Sequence, residues 1–345
     1  MNLNGTKQYK SMLKIKAFPR IHITLIGMNK DGYRLNGGIG FSISSPILDI
    51  SFETSNTIDV IDKRKYGFTG DELNRLKSHI NQVAKNQDFK KVFICVINEG
   101  IIQSHVGFGS NTMIYLACVE ALFILNQRDY SDKNVIALSG RGGTSGIGIN
   151  TYFKGGYVFD TGIKIHEQRT LAPSSTFISS GCQQPLLIKS IELPLWDLGI
   201  CIPQIVPKTE EEEKRFFQTN CPIEKSDVEK ILYEVVYGVT SSLLENDFKA
   251  FCESINAIQQ TKWKSLERNL YGDTIIEAEK TIRKNGARCV GMSSLGPMLY
   301  FFGDDIEGSV EKVNREMSQC VCFKTTFNNL SRIVENDRHH FCYLK

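Results

Sequence analysis

His105-Val106-Gly107-Phe108-Gly109-Ser110-Asn111-Thr112 is the stretch on which the fold turns. Before it stands Val92–Ile97, a short apolar run with no polar face, and after it comes 113–125, a segment apolar on nearly every side. A strand of that kind is buried, and a helix apolar all round lies in the middle of a domain. The eight residues between them therefore read as a glycine-rich crossover into the N-terminus of a buried helix. Glycine permits positive φ and lets backbone approach a ligand closely. Unpaired N–H groups at a helix start carry partial positive charge, so the two together make a phosphate site. Ser110 and Thr112 add hydroxyls for phosphate oxygens or a Mg2+ ion. No Gly-Lys-Ser/Thr follows, so this is not a Walker loop. Taken alone, the loop is equally compatible with a plain strand-to-helix turn.

Working outward, residues 14–26 read as one strand ending at the turn Asn29-Lys30-Asp31-Gly32. Alternation puts Arg20, His22 and Thr24 on one face of it; this is either simple exposure or, if the face lines a cleft, a set of anion ligands or proton carriers. Strands are expected at 37–43 and 47–52 and a helix at 70–84. A second glycine-rich stretch, 139–150, leads through Gly155-Gly156 to a strand at 157–160. Beyond it, 187–205 holds short strands broken by Pro194, Gly199 and Pro203. The acidic run 210–213 reads as a solvated helix start or loop. Ser226-Asp-Val-Glu229 has the form of a capping box, opening a helix with Val228, Ile231, Leu232, Val235, Val236 and Val239 on one face. Helices at 246–258, 273–284 and 307–317 and strands at 298–302 and 320–323 complete a small α+β lobe. The turn Gly291-Met-Ser293-Ser294-Leu-Gly296-Pro297 either packs against a ligand or simply joins its neighbours. The domains expected are 1–180, carrying the phosphate loop, and 181–345.

Composition narrows the class. A chain of 345 residues suits two domains or one with two lobes. The net charge of +3 gives no reason to expect nucleic acid or an anionic membrane as partner. None of the ten cysteines forms a Cys-x-x-Cys pair, and several sit in apolar runs, so they read as reduced core thiols in a reducing compartment. His339-His340 has no metal-ligand partners nearby and reads as a surface pair. The polar N-terminus lacks the apolar core of a secretory signal, and no apolar run approaches the ~20 residues that span a bilayer. A soluble, cytoplasmic protein is expected.

Three weak signals stand in one order: Arg20-Ile-His22 running on to Asp31-Gly32-Tyr33, then 105–112, then 291–297. In that order the sequence resembles the GHMP superfamily of small-molecule kinases. It is more closely similar to one branch, the β-ribofuranosylaminobenzene 5′-phosphate synthases. The residues that carry this are Arg20-Ile-His22, Gly37-Gly-Ile-Gly40, the 105–112 loop, Gly140-Arg-Gly-Gly-Thr-Ser-Gly-Ile-Gly148 and Ser293-Ser-Leu-Gly-Pro297. The 140–148 motif is the most specific of them. Met292 and Leu295 stand where the branch usually has glutamine and tryptophan, and Asn111 and Met113 also depart from its pattern; these positions bear on the acceptor.

The resemblance implies an α+β, GHMP-kinase-like two-lobed fold, with a ribosomal-protein-S5-like N-terminal lobe and a ferredoxin-like C-terminal lobe. It implies ribosyl transfer from phosphoribosyl pyrophosphate (PRPP) to a small aromatic or heterocyclic carboxylic acid, with loss of CO2 and pyrophosphate. Relatives of this kind serve methanopterin-type cofactors or C-nucleoside antibiotics. Mg2+ is the implied cofactor and a homodimer the implied assembly. The implied site has Arg20, His22 and Arg141 on phosphate or the acceptor carboxylate. Gly107, Gly109, Ser110, Asn111 and Thr112 take pyrophosphate or its metal, Ser145 assists Arg141, and Ser293 and Ser294 close the site from the second lobe. Ser110 and Asp160 are the candidate metal ligands, Asp160 being also readable as a strand-end turn residue, the commoner role, and His105 orients the loop. The alternative is an ATP-dependent small-molecule kinase. Such kinases usually carry a lysine on the first strand and an aspartate before the Gly-Gly turn, where this chain has Arg20 and no carboxylate in 147–153. A third possibility is a protein that binds a phosphate ligand without turnover.

Overall fold

The computed structural model describes residues 12–165, 171–173 and 184–336. The single strand expected over 14–26 is two, β1 (Met12–Ala17) and β2 (Arg20–Gly27). They part at Phe18-Pro19, because proline has no N–H to give a ladder, and they enter different sheets. The first sheet has β14 (Ile333–Asn336) at one edge, then β1, β4 (Leu48–Ser55), β6 (Val92–Ile97) and β5 (Asp59–Asp62); all its pairs are antiparallel except β5 with β6. In the second, β2 pairs with β3 (Arg34–Ser42), which pairs with β7 (Tyr157–Asp160) and β8 (Ile163–Lys164); β9 (Leu187–Ile191) lies outside β7. The third orders β11 (Ala287–Met292), β12 (Leu299–Gly303), β10 (Asp197–Pro203) and β13 (Cys320–Thr326), antiparallel throughout.

The boundary expected at 180/181 falls among residues outside those described. Chain from beyond it returns to the first half, since β9 and β14 complete its sheets. Phe41 of β3 packs edge-on to Phe327 at 4.8 Å, and Phe327 packs on Phe302 of β12 at 5.4 Å, so the lobes share one core. A smaller apolar cluster lies between the third sheet and helices α10 (Asp273–Lys284) and α11 (Ile306–Glu316).

Helix α2 (Ser110–Leu125) is buried along nearly its whole length, as its sequence demands. One charge rides inside it. Glu120 is fully buried, and it accepts hydrogen bonds from Arg332, Tyr130 and Tyr152. Around α2 lie α1 (Gly70–Asn86), α3 (Asp132–Ser139) and α4 (Ile147–Lys154).

Two local readings are corrected. Gly199 does not break a strand but sits inside β10, where the Phe301 ring lies against it; a Cβ there would come within 2.0 Å of that ring. Glycine in a strand often marks such close approach. Ser226 does not cap its helix: α6 (Lys225–Tyr233) begins earlier, with Glu224 at the cap position and no side-chain cap bond. A reciprocal capping box forms instead at Thr209 and Glu212, opening α5 (Glu210–Asn220). Past α6 the helix widens into a π-helical stretch, Glu234–Thr240, and ends as α7 (Ser241–Glu245); α8 (Phe248–Gln259) and α9 (Lys262–Asn269) follow.

Eight cysteines fall within the described residues, all with free thiols and seven of them buried. Cys182, Cys342 and His339-His340 lie outside. Among the described residues no helix is long and apolar enough to cross a membrane.

Candidate functional site

Gly109 caps α2 in the left-handed conformation, φ 76°, and no side chain caps the helix start. The N-terminus of α2 therefore faces a pocket of about 170 Å3 with its backbone donors uncovered. The preceding loop rests backbone to backbone on the 291–297 turn. Ser293 Oγ donates to the Gly107 carbonyl at 2.9 Å and accepts from the His22 amide at 3.1 Å. The Ser294 amide donates to the His22 carbonyl at 3.0 Å, and the Met298 amide to that of Val106 at 3.1 Å. The three motifs read as separate in sequence are thus laced into one structure. Gly107 is needed there twice over: its φ is 119°, and a Cβ would stand 2.9 Å from the Ser293 carbonyl oxygen. Gly107→Ala is expected to cost about 1–3 kcal/mol. It would lower Tm and weaken thermal stabilisation by inorganic pyrophosphate; an unchanged Tm would mean that the loops do not depend on each other.

Two arginines reach this pocket. Arg20 donates from Nη1 to the Gly107 carbonyl and lies directly beneath Gly109. Burial, then the neighbouring charge of Arg141, pulls its pKa down to about 10. Arg141 follows α3, donates from Nε and Nη2 to Thr112 Oγ1 at 3.3 Å each, and stands 5.4 Å from the Tyr115 ring centroid. Neither guanidinium has an ion-pair partner among the described residues. Two partly buried cations with no direct ion pair suit an oxyanion ligand.

His22 is 5 % exposed. Burial, with Arg20 and Lys264 nearby, drives its pKa well below the usual imidazole value. It is neutral, so it offers hydrogen bonds rather than charge. Its Nε2 lies 3.2 Å from Ser145 Oγ, and its Nδ1 is buried without a partner. The alternation expected along this strand stops short: the register slips between His22 and Thr24, as at a bulge. Thr24 turns away and bonds the Leu25 carbonyl, while Leu25 faces the pocket. Tyr33 of the Asp-Gly-Tyr turn is on the surface.

Gly107, Gly109, Ser110, Asn111, Thr112 and Ser145 all line the pocket, as does Ser294 from the second lobe. Ser293 stands behind the wall as a strut. Asp160 is corrected as a metal ligand. It is fully buried, and its carboxylate accepts from the Gly146 amide at 2.9 Å and the Gly162 amide at 2.8 Å. Burial outweighs these bonds and pushes it up to about 7. It holds the 140–148 turn. Met292 lies in the smaller core cluster, not at the wall; Leu295 is at the wall.

The sequence reading missed α5. Its acidic start is not a solvated face: Glu210, Glu213 and Phe217, at one helical stripe, line the pocket. The Thr209/Glu212 capping box and that spacing were the available signal. Arg75 of α1 holds Glu210 at 2.7 Å. Beside it His105 Nε2 meets Glu72 Oε1 at 2.5 Å, fixing the loop to α1. Outside these two ion pairs opens a wider cleft of about 1300 Å3 that shares His105 and Glu210 with the pocket.

The His105–Glu72 pair predicts a pH window. Burial opposes both charges, but the pairing wins: Glu72 is held down at about 2, and His105 is raised. The Glu72 contribution is present above its unfolded pKa of ~4.3 and fades toward pH 2, while that of His105 is full below ~6.5 and is lost as pH rises through its folded value. His105 has φ 61°, which asparagine tolerates. The Tm deficit of His105→Asn is therefore expected to be largest between about pH 4.5 and 6.5 and to shrink in alkali. A deficit that does not vary with pH would make the contact one of packing alone.

No family model matches the chain. It is 30% identical over 307 residues to the β-ribofuranosylphenol 5′-phosphate synthase of Archaeoglobus fulgidus, covering 88% of this chain and 92% of that one. To the enzyme of the same name from Methanothermobacter thermautotrophicus it is 30% identical over 302 residues, covering 86% and 91%. Among solved structures it is similar to a homoserine kinase from Cytophaga hutchinsonii, with a TM-score of 0.67 and 14% identity over 95% of this chain and 99% of that one. L. major mevalonate kinase superposes with a TM-score of 0.63 and 14% identity over 92% and 96%. At such identities the kinases share the GHMP fold and nothing more is drawn from them.

Proposed function

The chain belongs to the family of the β-ribofuranosylphenol 5′-phosphate synthases, and from that membership we propose a PRPP-dependent C-ribosyltransferase. Ribose 5-phosphate is joined through carbon to an aromatic carboxylic acid, and CO2 and pyrophosphate leave. One observation carries the reading: an uncapped helix N-terminus and two guanidinium groups that have no ion-pair partner among the described residues converge on one pocket walled by both lobes. That is a site for a ligand with more than one anionic group.

In this reading the amides of 107–112 and the hydroxyls of Ser110 and Thr112 take the pyrophosphate, aided by Arg20. Arg141 with Ser145 takes the 5′-phosphate or the acceptor carboxylate. His22 donates or accepts a hydrogen bond at the reacting end, and Ser293 and Ser294 hold the two lobes' loops together. As pyrophosphate departs, these fixed donors meet the charge that develops on it. An electron-rich ring attacks the oxocarbenium-like sugar through the carbon bearing the carboxylate, and loss of CO2 restores aromaticity. No protein nucleophile is needed; positioning is.

Among the described residues there is no cluster of three or more His, Cys, Asp or Glu suited to a metal. Mg2+ is commonly held by one or two protein groups together with substrate phosphates and water. Ser110 and Asn111, beside the uncapped amides, fit an ion of that kind arriving with the pyrophosphate. Its contribution there is neutralisation of the leaving group's charge. The relatives are named for a ribosylphenol product, which supports a hydroxybenzoate-type acceptor over a heterocycle. A cytoplasmic homodimer is part of the same proposal.

Incubation with PRPP, Mg2+ and a panel of hydroxy- and aminobenzoates is expected to release pyrophosphate and CO2 in equal amounts. Release of neither across the panel overturns the reading. ATP-dependent phosphorylation of an alcohol would put a kinase in its place, and stabilisation by PRPP without turnover a binding protein.

A further inference from the structure

The floor of the pocket is made of donors: loop amides, hydroxyls and the two arginines. Its lid is different. α5 presents Glu213 and, one turn on, Phe217 toward the same space. Phe216 and Phe217 are each 5.4 Å from the Trp263 ring, which fixes the helix and so the direction of its inner face. Leu295 is brought close by Tyr271, whose hydroxyl donates to the Leu295 carbonyl at 2.6 Å and whose ring feels the charge of Glu213. The Glu213 side chain itself has no hydrogen-bond or ion-pair partner among the described residues.

A carboxylate only accepts. It repels the phosphates of the donor and the carboxylate of the acceptor, so the part of the acceptor suited to it is one that brings a proton. Phe217 and Leu295 line the same pocket, and their apolar surfaces seat an aromatic ring better than a polyol. We propose that Glu213 is a catalytic base toward the acceptor, taking the proton of a ring hydroxyl that lies para to the departing carboxylate while Phe217 and Leu295 hold the ring. This rests on the C-ribosyltransferase reading above.

The chemistry balances without a further reactant. Attack through the carboxylate-bearing carbon needs electron release from a group ortho or para to it, and only the para position points away from the incoming sugar. The phenolic O–H bond breaks and its proton goes to Glu213. The oxygen's electron pair pushes through the ring as the C–C bond to ribose forms and the C–O bond to pyrophosphate breaks, leaving a cyclohexadienone. The C–CO2 bond then breaks, its pair restores the ring as a phenolate, and the phenolate takes the proton back. Burial, against the pull of His105 and Arg20 and with the push of Glu210, raises Glu213 to about 7. That suits a base that must both take and return a proton near neutral pH. The groups facing it are Arg20 on β2, His105 on the glycine loop, Glu72 on α1, Glu210 on its own helix and Tyr271 after α9.

The test is Glu213→Gln, assayed by pyrophosphate and CO2 release with PRPP, Mg2+ and 4-hydroxybenzoate. The expected result is a fall in kcat of about 10²–10³ with KM for PRPP unchanged. The wild type is expected to lose kcat/KM below about pH 7, and the variant to lack that limb, which separates Glu213 from His105. Ring-fluorinated 4-hydroxybenzoates, whose hydroxyl ionises more readily, should restore much of the variant's rate, which a merely structural role would not allow. A variant with wild-type kcat, a raised KM for PRPP, an altered Mg2+ requirement, or wild-type turnover of 4-methoxybenzoate as fast as 4-hydroxybenzoate would overturn the proposal and leave the transferase reading standing. Failure of the wild type to release either product on the whole acid panel would remove that reading and this inference with it.

Discussion

Arg141→Ala is expected to lower kcat/KM for PRPP by about 10²–10³, because truncating one partner of a desolvated charged contact costs ~2–5 kcal/mol and each ~1.4 kcal/mol is tenfold in rate. Among the described residues its guanidinium touches only the Thr112 hydroxyl and the Tyr115 ring. Little folding stability therefore depends on it, and Tm is expected to stay within about 2 °C of wild type. Arg141→Lys should recover only part of the loss. Lysine keeps the charge but not the fork that meets two oxyanion oxygens at once. Steady-state pyrophosphate release, read beside a melting curve, checks both. A lysine variant at full activity would show that charge alone is used; an alanine variant at full activity would remove Arg141 from substrate contact.

The largest effect on stability is expected far from the pocket. Glu120→Ala leaves the Arg332 guanidinium and two tyrosine hydroxyls facing an empty buried space. Removing one partner of a buried pair costs ~3–5 kcal/mol. In a protein of this size that is a drop in Tm of roughly 4–7 °C. Arg332 immediately precedes β14, so hydrogen exchange should report the loosening first in that strand and in β1, its neighbour. Glu120→Gln is expected to lose less, because an amide can still accept from the guanidinium. The double variant Glu120→Ala with Arg332→Ala should lose less than the sum of the singles; simple additivity would mean that the two side chains act independently.

Much of this molecule was legible before folding was considered. The glycine loop declared itself because backbone at φ 119° and 76° excludes other residues at low cost, and because an all-apolar α2 can only be central. The GHMP fold followed from motif order. Single-turn features were less secure. Ser226-Asp-Val-Glu229 has the residues of a capping box, yet the helix begins one residue before it, since hydroxyl and carboxylate at the right spacing do not compel the chain to start there. Gly199 looked like a break because its partner, the Phe301 ring, lies on another strand. Asp160 looked like a metal ligand because a strand-end carboxylate is ambiguous until its neighbours are seen. Its lone pairs are taken by the Gly146 and Gly162 amides.

What the sequence by itself determined is the set of local devices: the uncapped helix start at 109–110, the Arg20-Ile-His22 strand, the 140–148 and 291–297 turns, and through them the family. Their backbone requirements are written in residue type and spacing. What only the tertiary structure decided is how those devices face one another and what closes over them. Four glutamates in a row carry no information on which one points inward. That choice is made by Phe216 and Phe217 seating α5 on Trp263, a contact spanning more than forty residues of chain, and it brings Glu213 to the pocket while Glu211 stays in solvent. Distance in sequence hides such pairings because the energy that selects them is burial of apolar surface, which has no direction until the core exists.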